Sequence, residues 1–250
     1  MVGSDFPKEH FNLLGNHSIN LEDLKIEEGK TFAWGGEYAH DFSTRETLYV
    51  DPGVSEKYMP ILSEQAKQCE FLLLGNAHPN LQLTVLDQIE SNPFIILDTF
   101  KLYMDIAKND LKKIISKSNL LCINYNEAVY LSGLSNSTLQ EMAECILDMG
   151  TDSLIIKQGD DGASFFDSNT YFSIGAYPVK TVMDTTGAGD AFAGGLLSSK
   201  MAGKNIEDAM IAGATMASFC IENIAHEGIV TVPDIEYQLR KEWIKSTLTY

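Results

Sequence analysis

Four compact apolar runs recur in the larger part of the chain, at 71–74, 94–97, 120–123 and 154–156, and a stretch with helical spacing separates each from the next. Unbroken apolar strands alternating with amphipathic helices predict a parallel sheet covered on both faces. The pattern changes character near residue 51. Before it, residues 31–39 and 45–50 alternate aromatic or β-branched side chains with polar ones around a short polar segment, as a half-exposed hairpin does. This predicts a small β lid within residues 15–50 and an α/β core over 51–250.

The residues that end the apolar runs add a second layer. Asn76 follows Gly75, and the later runs stop at Asp98, Asn124 and Lys157-Gln158-Gly159. Ligands of open α/β sheets bind beyond the carboxyl ends of the strands, so four polar endings in register predict one cleft. Taken singly, each polar residue would be an ordinary strand end or helix cap.

Composition narrows the partners. With 35 acidic and 18 basic residues the formal charge is −17, so most of the surface repels nucleic acid and anionic bilayers. Four widely spaced cysteines, Cys69, Cys122, Cys145 and Cys220, read as reduced core residues. The histidines His10, His17, His40, His78 and His226 show no ligand spacing, and only His78, near Asn76, draws interest. The absence of a basic, then apolar, N-terminal region and of a long apolar window leads to the expectation of a cytoplasmic protein.

The most specific segment is Asp184-Thr185-Thr186-Gly187-Ala188-Gly189-Asp190-Ala191-Phe192, followed by Ala193-Gly194-Gly195. A Gly-Ala-Gly turn running into a small-residue helix leaves backbone N–H groups pointing out of the helix start, which suits an anion. An aspartate beside such an anion hole makes sense as a base that takes a proton from a hydroxyl while the amides hold the phosphoryl group under attack. On this string the chain resembles the ribokinase-like, or PfkB, carbohydrate kinase family.

The resemblance implies a ribokinase-like fold, a mostly parallel sheet flanked by helices with a small β lid. It implies Asp190 as catalytic base and Gly187, Ala188 and Gly189 as the anion hole. Asn124-Tyr125-Asn126-Glu127 is similar to the family's N-x-x-E motif, which implies that Asn124 and Glu127 organise Mg²⁺, an ion that needs few protein oxygens beside phosphate. The same residues also read as a helix cap with a glutamate three positions on. The stretch 157–163 resembles the family's nucleotide-binding turn, with Lys157, Gly159 and Gly162 as contacts. The helix around Gly213 and Met216 resembles the one along which adenine lies, although small residues there also suit close helix packing. A monovalent cation beside Asp184 is a further candidate.

The expected function is therefore transfer of the γ-phosphoryl group of ATP to a hydroxyl of a sugar, with a nucleoside as the alternative acceptor. An ATP-binding protein with weak catalysis is the competitor from another class. Acceptor candidates are Arg45 on the lid, Asn76 and Asp98, and the lid is also a candidate homodimer surface. Val2-Gly3-Ser4-Asp5 resembles a segment that in the family follows the first strands and a Gly-Gly substrate motif. Residues 1–14 thus read as the remnant of an N-terminal α/β segment, in a fragment or a short form.

Overall fold

The structure, a computed structural model, describes residues 1–38 and 45–250, with Tyr38, Arg45 and Lys57 described by their backbone alone. The chain divides into two compact units, one of residues 1–68 and 84–91, the other of 69–83 and 92–250. Residues 51–68 and 84–91, read as part of the core, thus group with the first unit.

In the first unit, β1 (Val2–Gly3) and α1 (Lys8–Asn16) precede β2 (Ile26–Glu27), which pairs parallel with β1. The expected hairpin is present as β3 (Ala33–Tyr38) antiparallel to β4 (Arg45–Asp51), with an irregularity at Gly35/Gly36. Short helix α2 (Glu64–Lys67) follows, capped by the Ser63 hydroxyl. Asp23 accepts from the Ser63 N–H at 2.8 Å and from its hydroxyl at 3.1 Å, which ties the start of α2 to the segment before β2.

The second unit is built on β5 (Phe71–Leu74), β6 (Phe94–Leu97), β7 (Leu120–Asn124) and β8 (Ser153–Lys157), all mutually parallel. The segments α3 (Pro79–Leu86), α4 (Lys101–Ile106) with α5 (Lys108–Ile115), and α6 (Tyr125–Ser132) with α7 (Leu139–Leu147) connect them in turn. Two antiparallel strands, β9 (Ala163–Asp167) and β10 (Tyr171–Ile174), extend the sheet to the order β10-β9-β8-β7-β6-β5. Then come α8 (Ala188–Met201), α9 (Ile206–Cys220), α10 (Glu227–Val230) and α11 (Asp234–Lys245).

Alternation along the strands sorts the core into two faces. Leu120, Cys122 and Ile155 join Phe192 and Leu196 of α8, Met210 and Ile211 of α9 and Ile244 of α11 in one buried cluster. Leu121, Ile123, Leu154 and Ile156 point the opposite way, where α5, α6 and α7 bury Leu111, Ile114, Ala128, Met142 and Ile146. All of these strand residues are fully inaccessible, so the apolar runs earn their continuity from two covered faces.

Candidate active site

The apolar strands stop where the charge begins. Strand β7 ends on Asn124, whose side chain accepts the Glu127 N–H at 2.9 Å, while the Glu127 carboxylate accepts the Asn124 N–H at 2.9 Å. The reciprocal pair is a capping box, so the helix-cap reading of N-x-x-E is present in full. It does not account for where Glu127 sits. Only 7% of Glu127 is exposed, and that desolvation pushes its carboxyl up to about 7, although the Asn124 N–H and Lys157 pull the other way. A surface cap would have no such strain, and a carboxylate this enclosed gains most from a nearby cation.

Asp98 directly follows β6 and Lys157 ends β8, two strands apart in the sheet, and their side chains meet at 3.5 Å. The other Asp98 oxygen accepts the Thr99 N–H at 2.8 Å. For Lys157, desolvation works against the charge, while the carboxylates of Asp98 and Glu127 work for it and favour the ammonium. Burial pushes the Cys122 thiol up to about 12, so it stays a neutral neighbour.

The start of α8 completes the cluster. Gly187 adopts φ +83° as N-cap, a left-handed conformation that favours glycine, and no side chain caps the helix. Helix geometry leaves the amides of the first turn without intrahelical partners. The Ala188 N–H turns back onto the Thr185 carbonyl at 3.2 Å, so of the expected anion hole Ala188 has its donor engaged by the turn itself. Gly189 leaves room for the ion pair: a Cβ there would lie 3.1 Å from the Lys157 ammonium and 3.8 Å from Asp98 Oδ2.

One residue on, Asp190 is open to solvent as a residue, yet its carboxyl lies among protein groups. Desolvation and the Asp98 charge push it up, with Lys157 opposing. A base open to a substrate and more basic than an ordinary aspartate suits proton abstraction. Behind the turn, Asp184 accepts the Thr186 N–H at 2.8 Å and the Ala225 N–H at 3.4 Å; burial works against its ionisation, but these bonds hold it below the usual range.

With this geometry in view, the likenesses to known proteins are informative. The family model described as pfkB family carbohydrate kinase matches residues 1–227. The chain belongs to that family. It is thereby a phosphotransferase with an alcohol group as acceptor, of the carbohydrate and nucleoside kinase kind. It is 27% identical to the cytidine kinase of Thermococcus kodakarensis over 86% of this chain and 77% of the relative. It is 26% identical to a nucleoside kinase of Methanocaldococcus jannaschii over 88% of this chain and 71% of the relative. The fold matches a putative ribokinase II of E. coli solved with ATP and Mg²⁺, at a TM-score of 0.80 and 18% identity over 97% of this chain and 81% of that one.

The remaining positions expected of a pfkB chain fall into place unevenly. Gly162, at φ +94°, lies so close to β10 that a Cβ would stand 2.0 Å from the Ile174 carbonyl oxygen, which gives it a structural duty in the β8–β9 turn. Gly159 opens the same turn with free space beside it. Gly213 is buried where a Cβ would meet the Phe192 carbonyl at 2.7 Å, so it serves the α8/α9 crossing, whereas Met216 is half-buried on the same helix and borders Gly195. Asn76 is exposed beyond β5. The Arg45 side chain and His40 lie outside the described residues.

Among the described residues no three His, Cys, Asp or Glu side chains gather as a metal cage. Nor is any helix long and apolar enough to cross a membrane. Sequence reasoning missed Gln82, buried in α3, whose Nε2 donates to the Gly75 carbonyl at 2.8 Å while Oε1 stays without a partner. Its one signal was a glutamine inside the apolar run Leu81–Leu86.

Proposed function

We propose that this pfkB-family chain transfers the γ-phosphoryl group of ATP to a hydroxyl of a nucleoside, with Asp190 as base. The observation that carries the reading is the meeting of a solvent-open, basic Asp190 with an uncapped helix start and the Lys157 ammonium beside Gly189. Asp190 takes the proton as the hydroxyl attacks. The amides of the α8 first turn beyond Ala188, together with Lys157, hold the phosphoryl oxygens, where charge builds in the transition state.

Asn124 and Glu127 fit Mg²⁺ through their oxygens. Glu127 is a buried carboxylate that ionises unwillingly and would be stabilised by a cation, and Mg²⁺ keeps most of its waters and phosphate ligands. Bound there, the ion would neutralise charge on the phosphate chain. The turn at Lys157 and Gly159 and the flank of Met216 are the parts of the chain assigned to the nucleotide; Asn76, exposed beyond β5, is the acceptor candidate of the second unit.

A nucleoside is preferred to a free sugar because relatives matched over most of this chain carry cytidine and nucleoside in their names. A transfer assay with ATP, Mg²⁺ and a panel of nucleosides and sugars tests the reading. Saturable transfer to a nucleoside is expected. Transfer to a sugar alone would move the assignment to the sugar kinases, and nucleotide binding with no transfer to any acceptor would replace it by a non-catalytic ATP-binding role.

A further inference from the structure

Asp98, expected at the acceptor, is held by groups of the protein itself. Only 9% of Asp98 is exposed, and the neighbouring Thr99 is 5% exposed. Its N–H is registered on the Leu74 carbonyl at 2.9 Å, and Oδ1 is fixed by the Thr99 N–H at 2.8 Å. A carboxylate anchored this way has one oxygen left to give, and Oδ2 faces Lys157 at 3.5 Å. Both groups lie against Gly189, at 3.8 and 3.1 Å from the place its Cβ would take.

We propose that Asp98 is a positioning residue that holds the Lys157 ammonium at the first turn of α8, where that ammonium meets the transferring phosphoryl group. The idea rests on the kinase reading above and deepens it. Lys157 comes from the far end of β8 on four flexible methylenes, and a chain of that kind does not find one place unaided. A separation of 3.5 Å pairs the charges without a tight hydrogen bond, so phosphate oxygens can take over the ammonium without breaking a short contact. The local balance makes the ammonium necessary. Asp98, Glu127 and Asp190 all act on the site, and three carboxylates would repel a triphosphate if Lys157 turned away.

The same geometry sets a sharp test, because a carboxylate near phosphate has two opposed effects. If Asp98 merely adds negative charge, Asp98→Asn should tighten nucleotide binding. If it positions Lys157, the same change should weaken it. Calorimetry with the ATP analogue AMP-PNP and Mg²⁺ on four proteins separates these: wild type, Asp98→Asn, Lys157→Met and the double variant.

Lys157→Met is expected to weaken binding by about 30-fold or more, as truncation of one partner of an enclosed charge pair does. Asp98→Asn should weaken it by about 10-fold alone and should weaken it no further once Lys157 is Met, the non-additivity of residues that act as a unit. In turnover, Asp98→Asn should raise KM for ATP in line with the lost AMP-PNP affinity and lower kcat by about a further 10-fold, because a misplaced ammonium is missed in the ground state and again in the transition state. Tighter or unchanged AMP-PNP binding by Asp98→Asn, or additive losses in the double variant, overturns the proposal and leaves the kinase reading intact. Failure of the wild type to bind AMP-PNP overturns both. Should Asp98→Asn fail to fold, Asp98→Glu keeps the charge and moves it by one methylene; a folded variant with wild-type turnover would count against positioning, and a folded variant with reduced turnover would support it.

Discussion

The two units spend their apolar residues differently. In the second, a large set of strand and helix side chains is fully buried, among them Ile96, Leu121, Met142, Phe172 and Ile244. In the first, Val2 is the one buried hydrophobic residue among those described, while Phe32, Leu48, Tyr49 and Val50 are each half exposed or more. Every group of the candidate phosphoryl site, Asp98, Asn124, Glu127, Lys157 and Asp190, lies in the second unit. Chemistry that needs enclosed, mutually fixed charges is thus built on the unit with a dry interior, where electrostatic interactions are strong and side chains cannot wander.

That contrast can be broken most severely at Asp190. Asp190→Asn is expected to lower turnover by about 10²–10⁴-fold while leaving the melting temperature near that of wild type, since general-base assistance is of that size. Stopped assays over the acceptor panel check it. Wild-type turnover in the variant would return Asp190 to a mere first-turn residue of α8.

Next in size is the core itself. Phe172→Ala should cost about 3–5 kcal/mol in chemical denaturation, the usual loss for emptying a buried aromatic site. Phe172 is fully buried and stacks on Phe165 with ring centroids 5.0 Å apart, so little can collapse into the space.

Glu127 gives a smaller and pH-dependent effect. Its folded-state value, about 7, stands above its ordinary 4.5, so the folded protein holds this proton more tightly than the unfolded chain. The cost of ionising it is absent below about pH 4.5, grows as pH rises, and is complete above about 7, where at ~1.4 kcal/mol per unit it reaches about 3 kcal/mol. Glu127→Gln, which still offers an oxygen to the Asn124 N–H, should therefore gain stability relative to wild type between pH 5 and 8 in metal-free urea melts (on the order of 2 kcal/mol after imperfect replacement). Its activity should need more Mg²⁺. A pH-independent difference would show that Glu127 is not strained in the folded state.

The smallest effect is expected on the lid. Leu48, 61% exposed on β4, should tolerate Leu48→Ser within about 0.5 kcal/mol. The same variant sharpens the contrast by sedimentation: if the exposed lid residues pair two copies, the wild type will sediment as a dimer and Leu48→Ser as a monomer.

How far these features could be read beforehand follows the range of the forces involved. The runs 71–74 and 94–97 are β5 and β6 to the residue, because burial on both faces writes itself as an unbroken apolar string. The hairpin of β3 and β4 was equally plain from alternation. The two-residue strands β1 and β2 are too short for any period, and the antiparallel turn of β9 and β10 at the sheet edge went unread although Ser168 and Asn169 mark it.

At the site, local chemistry was readable and distant pairing was not. The string 184–190 named its own turn and a candidate base, and Asn124 with Glu127 named both the cap that is present and a candidate metal motif. The pairing of Asp98 with Lys157 spans 59 positions and depends on sheet order, so nothing near either residue announces it. Gly213 was read for a ligand because small residues at helical spacing suit adenine and a close helix crossing alike, and the close approach of Phe192 shows the crossing, which no local pattern announces.

The empty place beside Gly189 has a consequence for how this protein can vary. An alanine at 189 would stand 3.1 Å from the Lys157 ammonium, a distance that pushes the ammonium aside by a few tenths of an ångström and away from the carboxylate that holds it. A shorter residue at 157 would relieve the crowding but give up the charge. Positions 157 and 189 are therefore coupled: any side chain at 189 is felt first by the ammonium, and the size of one position sets where the charge of the other can rest.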